Sequence, residues 1–216
     1  MSVNGGFGFG GNPRPRSATV SSSSFPTDDL VSYHQFDNDL LDSGPNGKNA
    51  SGGTPTYDTG VIGQALNGSA GISISPALDL GTTFSVSYQV RLSSYPALGT
   101  VLAMSGFNGL YFSSTSEGFP CFYNGDFRFA TTSVPLNTWT HVVMTYDGTT
   151  IRWYVNSVAA GTNVTAIPAF DAANIASIAG ASVLTGRIDL LGTWTTVLSQ
   201  QDVDALYNGG AGLDYP

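Results

Sequence analysis

The chain has 216 residues, 7 basic and 15 acidic side chains, a formal net charge of −8, and 10% charged against 41% hydrophobic residues. That length holds one good-sized all-β domain, or a small domain plus an arm. The acidic balance excludes nucleic-acid binding through a basic face, which needs clustered Lys and Arg.

Residues 1–26 are rich in Gly, Ser and Pro and lack apolar periodicity, so a flexible N-terminal arm is expected there. It carries no apolar run after a basic start, so a secretory signal peptide and export by that route are not expected. Gly6, Gly8 and Gly11 satisfy G-x-G-x-x-G, but no strand precedes them and "NPRPR" follows where a helix should begin, so dinucleotide binding is not expected. Phe7, Phe9, Arg14 and Arg16 are the candidate partner-anchoring residues, on an arm that would order on binding.

A single domain is expected over residues 27–216. Short strand signals separated by turn residues run from "LVSYHQF" through "QALNGS", "GISIS", "TVLAM", "GLYFSS", "PCFYN" and "FRFAT". In "TFSVSYQVRL", Phe84, Val86, Tyr88 and Val90 alternate with Ser85, Ser87, Gln89 and Arg91, which predicts one buried and one polar face. "WTHVVMTYDGTTIRWYVNSV" reads as a hairpin turning at Asp147–Thr150, with Trp139 and Trp153 expected in the core. After the strand "GRIDLLGTWTTV", "LSQQDVDALYNGG" predicts a helix with Ser199 as N-cap, Asp202 in its first turn, an apolar stripe of Val203, Leu206 and Tyr207, and a stop at Gly209. Many strands, one C-terminal helix and no βαβ alternation give an all-β fold, an antiparallel two-sheet jelly-roll sandwich.

No apolar run is long enough for a transmembrane helix, so membrane insertion is not expected. The single cysteine, Cys121, excludes an internal disulfide framework and reads as a buried small apolar residue. His34 and His141 stand in strands without zinc-ligand spacing and read as core histidines. The sequons at Asn49, Asn67 and Asn163 read as asparagines near turns.

Taken in order, "LVSYHQFDNDLLDSGPNGKNAS", "GVIGQALNGSAGISIS", "TFSVSYQVRL", "LNTWTHVVMTYDGTTIRWYVNSV" and "GRIDLLGTWTTVLSQQDVDALYNGG" resemble the laminin-G-like jelly-roll domains of the concanavalin A-like lectin/glucanase superfamily, of the kind found in phage virion proteins. The resemblance spans residues 30 to 213. It implies two antiparallel sheets packed face to face, binding more often than catalysis, and in many members a structural calcium.

Asp37, Asp39, Asp42 and Asn46 supply oxygens of the kind calcium takes, within ten residues. The resemblance adds Asp189 from the closing strand, so the candidate calcium set is Asp37, Asp42, Asn46 and Asp189. Leu190 departs from the family pattern, which often has an acid there. The alternative is a set of carboxylates organising turns. A related glucanase would need two catalytic carboxylates on a Glu-x-Asp-x-x-Glu strand, and the chain has one glutamate, Glu117. An enzyme is therefore not expected, and a glycoside hydrolase ranks third among the functions. Around "EGFPCFYNGDFRF", with Phe122 among them, Tyr111, Phe119, Tyr123 and Phe127 are the candidate ligand-binding residues, because sugar rings stack on exposed aromatic faces. The alternative for these rings is core between the sheets.

The first functional expectation is a phage structural protein, a capsid decoration or fibre subunit located in the virion. Its arm would hold capsid or tail proteins, and its lectin-like domain would face outward toward host-surface glycans. The second is a stand-alone glycan-binding lectin, extracellular or on a cell surface without a classical signal peptide. Homo-oligomers are compatible with both.

Overall fold

The structure, a computed structural model, describes residues 1, 24–68, 71–104, 108–113, 117–175 and 182–216. The period-2 segments become strands β1 (Leu30–His34), β2 (Ala50–Gly52), β3 (Tyr57–Thr59), β4 (Gln64–Asn67) and β5 (Ile72–Asp79). The middle of the chain forms β6 (Phe84–Leu92), β7 (Leu98–Ala103), β8 (Gly109–Ser113), β9 (Pro120–Tyr123) and β10 (Phe127–Phe129). Then follow β11 (Thr140–Tyr146), β12 (Thr150–Val155), β13 (Val158–Val164), β14 (Asp171–Ile175), β15 (Gly186–Trp194) and the helix α1 (Gln200–Tyr207).

An eight-stranded sheet runs β13-β12-β11-β6-β15-β4-β3, with β1 also paired to β15, and a seven-stranded sheet runs β10-β9-β8-β7-β14-β5-β2. The described pairings are antiparallel. The main core lies between the sheets, where Phe84, Val86, Tyr88 and Val90 of β6 meet residues such as Phe112, Phe122 and Phe170. The expected all-β jelly-roll sandwich with one short C-terminal helix is the fold observed.

The β11–β12 hairpin closes where the sequence places it. Asp147 accepts from the backbone N–H groups of Thr149 and Thr150 at 3.0 and 2.8 Å and from Arg152 at 2.6 Å. Arg152 first, and these turn donors after it, hold the Asp147 carboxyl well below the usual carboxylate range. Trp153 is fully buried and donates from Nε1 to Asn163 Oδ1 at 3.0 Å. Trp139 departs from expectation: it precedes β11 and is half-buried.

The polar face of β6 is the larger difference. Ser85, Ser87 and Gln89 are buried, not solvated. A second cluster built from Phe25, Leu30, Tyr33, Trp194, Val203 and Leu206 covers this outer face of the eight-stranded sheet. Ser85 is absorbed by backbone, donating to the Thr196 carbonyl at 2.7 Å and accepting from the Leu198 N–H at 2.9 Å. Alternation reported the polarity of the face correctly, but the element that covers it lies more than a hundred residues along the chain.

Helix α1 begins as its capping signal dictates. The Ser199 hydroxyl accepts from the Asp202 N–H at 3.2 Å, and the Asp202 carboxylate accepts from the Ser199 N–H at 2.9 Å. Its end comes one residue before the expected glycine: Asn208 takes the left-handed cap at φ 47°, and Gly209 follows at φ 64°. No helix among the described residues is long and apolar enough to cross a membrane.

The body starts inside the stretch assigned to the arm. Phe25 is 8% exposed, with its ring edge-on to Tyr33 at 5.0 Å and to Tyr215 at 5.4 Å. The Pro26 carbonyl accepts from Trp194 Nε1 at 2.8 Å. Phe7, Phe9, Arg14, Arg16 and the three arm glycines lie outside the described residues.

Candidate functional site

The four residues of the candidate calcium set do not converge. Asp42 organises the turn after β1: its Oδ1 accepts from the Tyr33 and Gly44 N–H groups, both at 2.8 Å, and its Oδ2 from the Lys48 N–H at 2.7 Å. Asn46 donates its amide to the Leu30 and Val31 carbonyls at 3.1 and 2.9 Å. The Asp42–Gly44 bond is the turn role that Asx residues favour, and the bonds to Tyr33, Leu30 and Val31 tie the turn back to β1. Asp39 likewise accepts from the Leu41 N–H at 3.0 Å.

Asp37 and Asp189 come together around the turn between β3 and β4. Asp37 accepts from the Gln64 N–H at 2.5 Å. Asp189 accepts from the Val61 N–H at 2.7 Å, and its other oxygen from the Leu190 N–H at 2.8 Å. Leu190 reaches that position in the left-handed region, φ 49°, at a bulge in the β15–β6 ladder. Gly60 and Gly63 form the rim because a side chain would not fit: a Cβ on Gly60 would lie 2.5 Å from Asp189 Oδ2, and one on Gly63, at φ +57°, would overlap the Asp37 carboxylate.

Asp189 is fully buried, and burial, with Asp37 adding to it, outweighs the three backbone donors and pushes its carboxyl up to about 7. Calcium takes six to eight oxygens. Among the described residues no three His, Cys, Asp or Glu side chains form a group suited to a metal. Asp37 and Asp189 are the two members of the candidate set that are brought together, and their hydrogen bonds are to backbone N–H groups. Chelation is expected to leave the melting temperature unchanged, and a drop on adding EDTA that calcium reverses would show otherwise.

The aromatic set is brought together in part, on the outer face of the seven-stranded sheet. The register pairs Phe127 with Tyr123, Phe129 with Cys121, and Cys121 with Tyr111, so these side chains share one face. The Tyr123 and Phe127 rings lie 4.9 Å apart at 53°, and the Phe127 and Phe129 rings 5.5 Å apart at 20°. All three are half-buried, so each ring keeps solvent-facing area at the sheet edge. Tyr111 is only 1% exposed and forms the floor with Ala103 and Cys121, so it is not a contact residue; burial raises its phenol. Phe122 points the other way, into the main core. Phe119 is half-buried just before β9. The missed residue is Phe129, which Phe127-x-Phe129 spacing on a strand would have placed on the same face.

Beneath the rings, Cys121 is buried, its thiol 3.3 Å from the Tyr111 carbonyl and pushed up by burial to about 12. It is the small apolar residue the sequence suggests. Both histidines are core residues as well: His34 stacks on Phe36 at 5.7 Å, and His141 lies 2.8 Å from Ser87.

Residues 66–204, more than half of the chain, match the profile of the concanavalin A-like lectin/glucanases superfamily. The chain belongs to that superfamily. Among solved structures it is similar to domain 4 of AbnA, a GH43 extracellular arabinanase from Geobacillus stearothermophilus, in complex with arabinotriose. The TM-score is 0.67 at 22% identity, covering 86% of this chain and 98% of that one. It is also similar to the binding domain of Paraclostridial Mosquitocidal Protein 1, with TM-score 0.66, 15% identity, and 85% and 53% of the two chains covered. The binding domain of botulinum neurotoxin DC in complex with SialylT matches with TM-score 0.60 at 16% identity, covering 84% and 52%. The match thus spans about half of each of the latter two chains. At these identities the likeness establishes the fold. A search of curated proteins returns no match.

Proposed function

We propose that this domain is a non-enzymatic carbohydrate-binding module, lectin-like in action, whose ligand stacks on Tyr123, Phe127 and Phe129. The observation that carries the reading is this run of half-buried rings at a rigid sheet edge. A sugar presents an apolar C–H face to such rings and hydroxyls at its rim. The arabinotriose complex of the similar arabinanase domain supports the class of ligand. The single glutamate, Glu117, is exposed at a turn, and the paired Asp37 and Asp189 are held by backbone donors, which favours binding over hydrolysis.

Tyr123→Ala and Phe127→Ala are each expected to weaken binding on a glycan array about fivefold and leave the fold intact. Each such stacking contact is worth on the order of 1 kcal/mol or more. A blank array across neutral and acidic glycans would sink the reading.

The finer proposal keeps this module on a virion, as a capsid decoration or fibre subunit held to capsid or tail proteins by residues 1–24. It rests on the composition of the arm and on Phe25 anchoring the body just after it. Deleting residues 1–24 should abolish incorporation into particles; normal incorporation of the truncated protein would overturn it.

A further inference from the structure

The outer face of the eight-stranded sheet carries a polar strip under an apolar cover. The register sets His141 beside Gln89 and Gln89 beside Asp189, with Ser87 two residues along β6 from Gln89. Ser87 Oγ lies 2.8 Å from His141 Nε2. His141 Nδ1, Gln89 Nε2 and Thr145 Oγ1 are buried without a hydrogen-bond partner among the described residues. The space among Ser87, Gln89, His141, Leu206 and Leu213 is too small for a water molecule. Each such orphan weakens the closed arrangement by roughly 1–3 kcal/mol.

The cover is α1 and the residues after it. Tyr207 lies parallel to the His141 ring, at 16° and 6.0 Å between centroids. The rest is held at its rim: Tyr33 Oη donates to the Leu213 carbonyl at 2.7 Å, Gln35 to Asp214, and Gln200 Nε2 to the Ser157 carbonyl at 2.9 Å. An eight-residue helix and a short tail over a face with orphaned donors have the features of a unit that opens locally.

We propose that α1 and residues 208–216 form an acid-released cover, which opens when the His141 imidazole takes up a proton while the sandwich beneath stays folded. A protonated imidazole donates from both nitrogens, and Nδ1 meets no acceptor in the closed state. The titratable groups around it are all engaged or neutral. On α1 these are Tyr207 and Asp204, the latter bound by Ser157 and Gln200. On the tail, Asp214 is bound by Gln35; on β1 there is Tyr33, on β12 Tyr154, and on β15 Asp189, held by backbone donors. Burial alone holds the imidazole down to about 3.

Once uncovered, the ring returns toward its ordinary value near 6.5. The closed state is therefore fully favoured above about pH 6.5 and loses roughly a factor of ten per pH unit below it, until about pH 3. His34, held low mainly by burial, faces the main core, so its protonation loosens the sandwich and not the cover.

Hydrogen exchange on the full chain between pH 7 and 4 tests the proposal. Protection factors across residues 199–216 should fall about tenfold per pH unit below 6.5, while β11 and β12 keep theirs. Emission from Trp194, in the outer cluster, should shift before that of Trp153, in the main core. His141→Gln keeps a partner for Ser87 but does not titrate, and should abolish the pH dependence; His141→Phe provides the same test through an apolar ring. Loss of protection in β11 and β12 in step with the helix, or an unchanged slope in both variants, would overturn the proposal.

Discussion

Asp189→Asn is expected to gain stability relative to the wild-type protein as pH rises from 4 to 8, passing from less stable to more stable. The Asp189 carboxyl is fully buried and raised to about 7 in the folded state, while its unfolded value is near 3.9. A raised carboxyl contributes stability that is complete below the unfolded value and is lost as pH climbs through the folded one. The shift of about three units corresponds to about 4 kcal/mol between pH 4 and pH 8.

Asparagine carries no charge to desolvate, but it accepts through one oxygen and must leave a Val61, Ile62 or Leu190 N–H poorly matched. The variant should therefore be less stable than wild type at pH 4 by about 1–2 kcal/mol, and more stable at pH 8 by about 2–3 kcal/mol. Urea denaturation at both pH values measures the swing. A pH-independent difference would mean that Asp189 stays ionised throughout. A calcium ion held by Asp189 would reverse the sign at pH 8, so the same experiment in calcium and in EDTA examines the metal question from the protein side.

How far the sequence could be read follows from which signals are local. The hairpin at Asp147 and the capping box at Ser199 are set by neighbours within a few residues, and both form as the sequence predicts. The alternation of β6 gave the right polarity for each face. It could not show that Ser87 and Gln89 are buried, because Leu206 and Leu213 come from the far end of the chain. The same limit governs the candidate site. Asp37, Asp39 and Asp42 look alike as spaced carboxylates, yet φ values of 59° at Phe36 and 63° at Asn38 turn the chain so that Asp42 folds back on Tyr33 while Asp37 reaches Gln64. The resemblance set the closing strand beside the first strand, and β15 does pair with β1, a neighbourhood that local spacing does not encode. Among the aromatics, alternation separates Phe122 from Cys121 and Tyr123, but the burial of Tyr111 depends on strand order in the sheet.

The boundary between arm and body yields the second large effect. Deleting residues 1–24 is expected to leave stability unchanged, whereas replacing Phe25 with alanine should cost about 3 kcal/mol and deleting residues 1–26 should cost more. Phe25 closes the outer cluster, edge-on to both Tyr33 and Tyr215 and 6.2 Å from Trp194. Its removal opens a cavity against rings that cannot collapse into it, since Tyr33 is tied to the Leu213 carbonyl and Trp194 to the Pro26 carbonyl. The longer deletion also strands the Trp194 N–H, a buried donor whose loss of partner adds about 1–3 kcal/mol. For a domain of this size, a 3 kcal/mol loss lowers the melting temperature by roughly 6–12 °C. Thermal melts of the two truncations and of Phe25→Ala measure it. Equal melting temperatures for both truncations would show that the cluster closes without Phe25. A large drop on removing residues 1–24 alone would place stabilising contacts in the arm itself, and would require the incorporation experiment to be repeated with arm substitutions in place of the deletion.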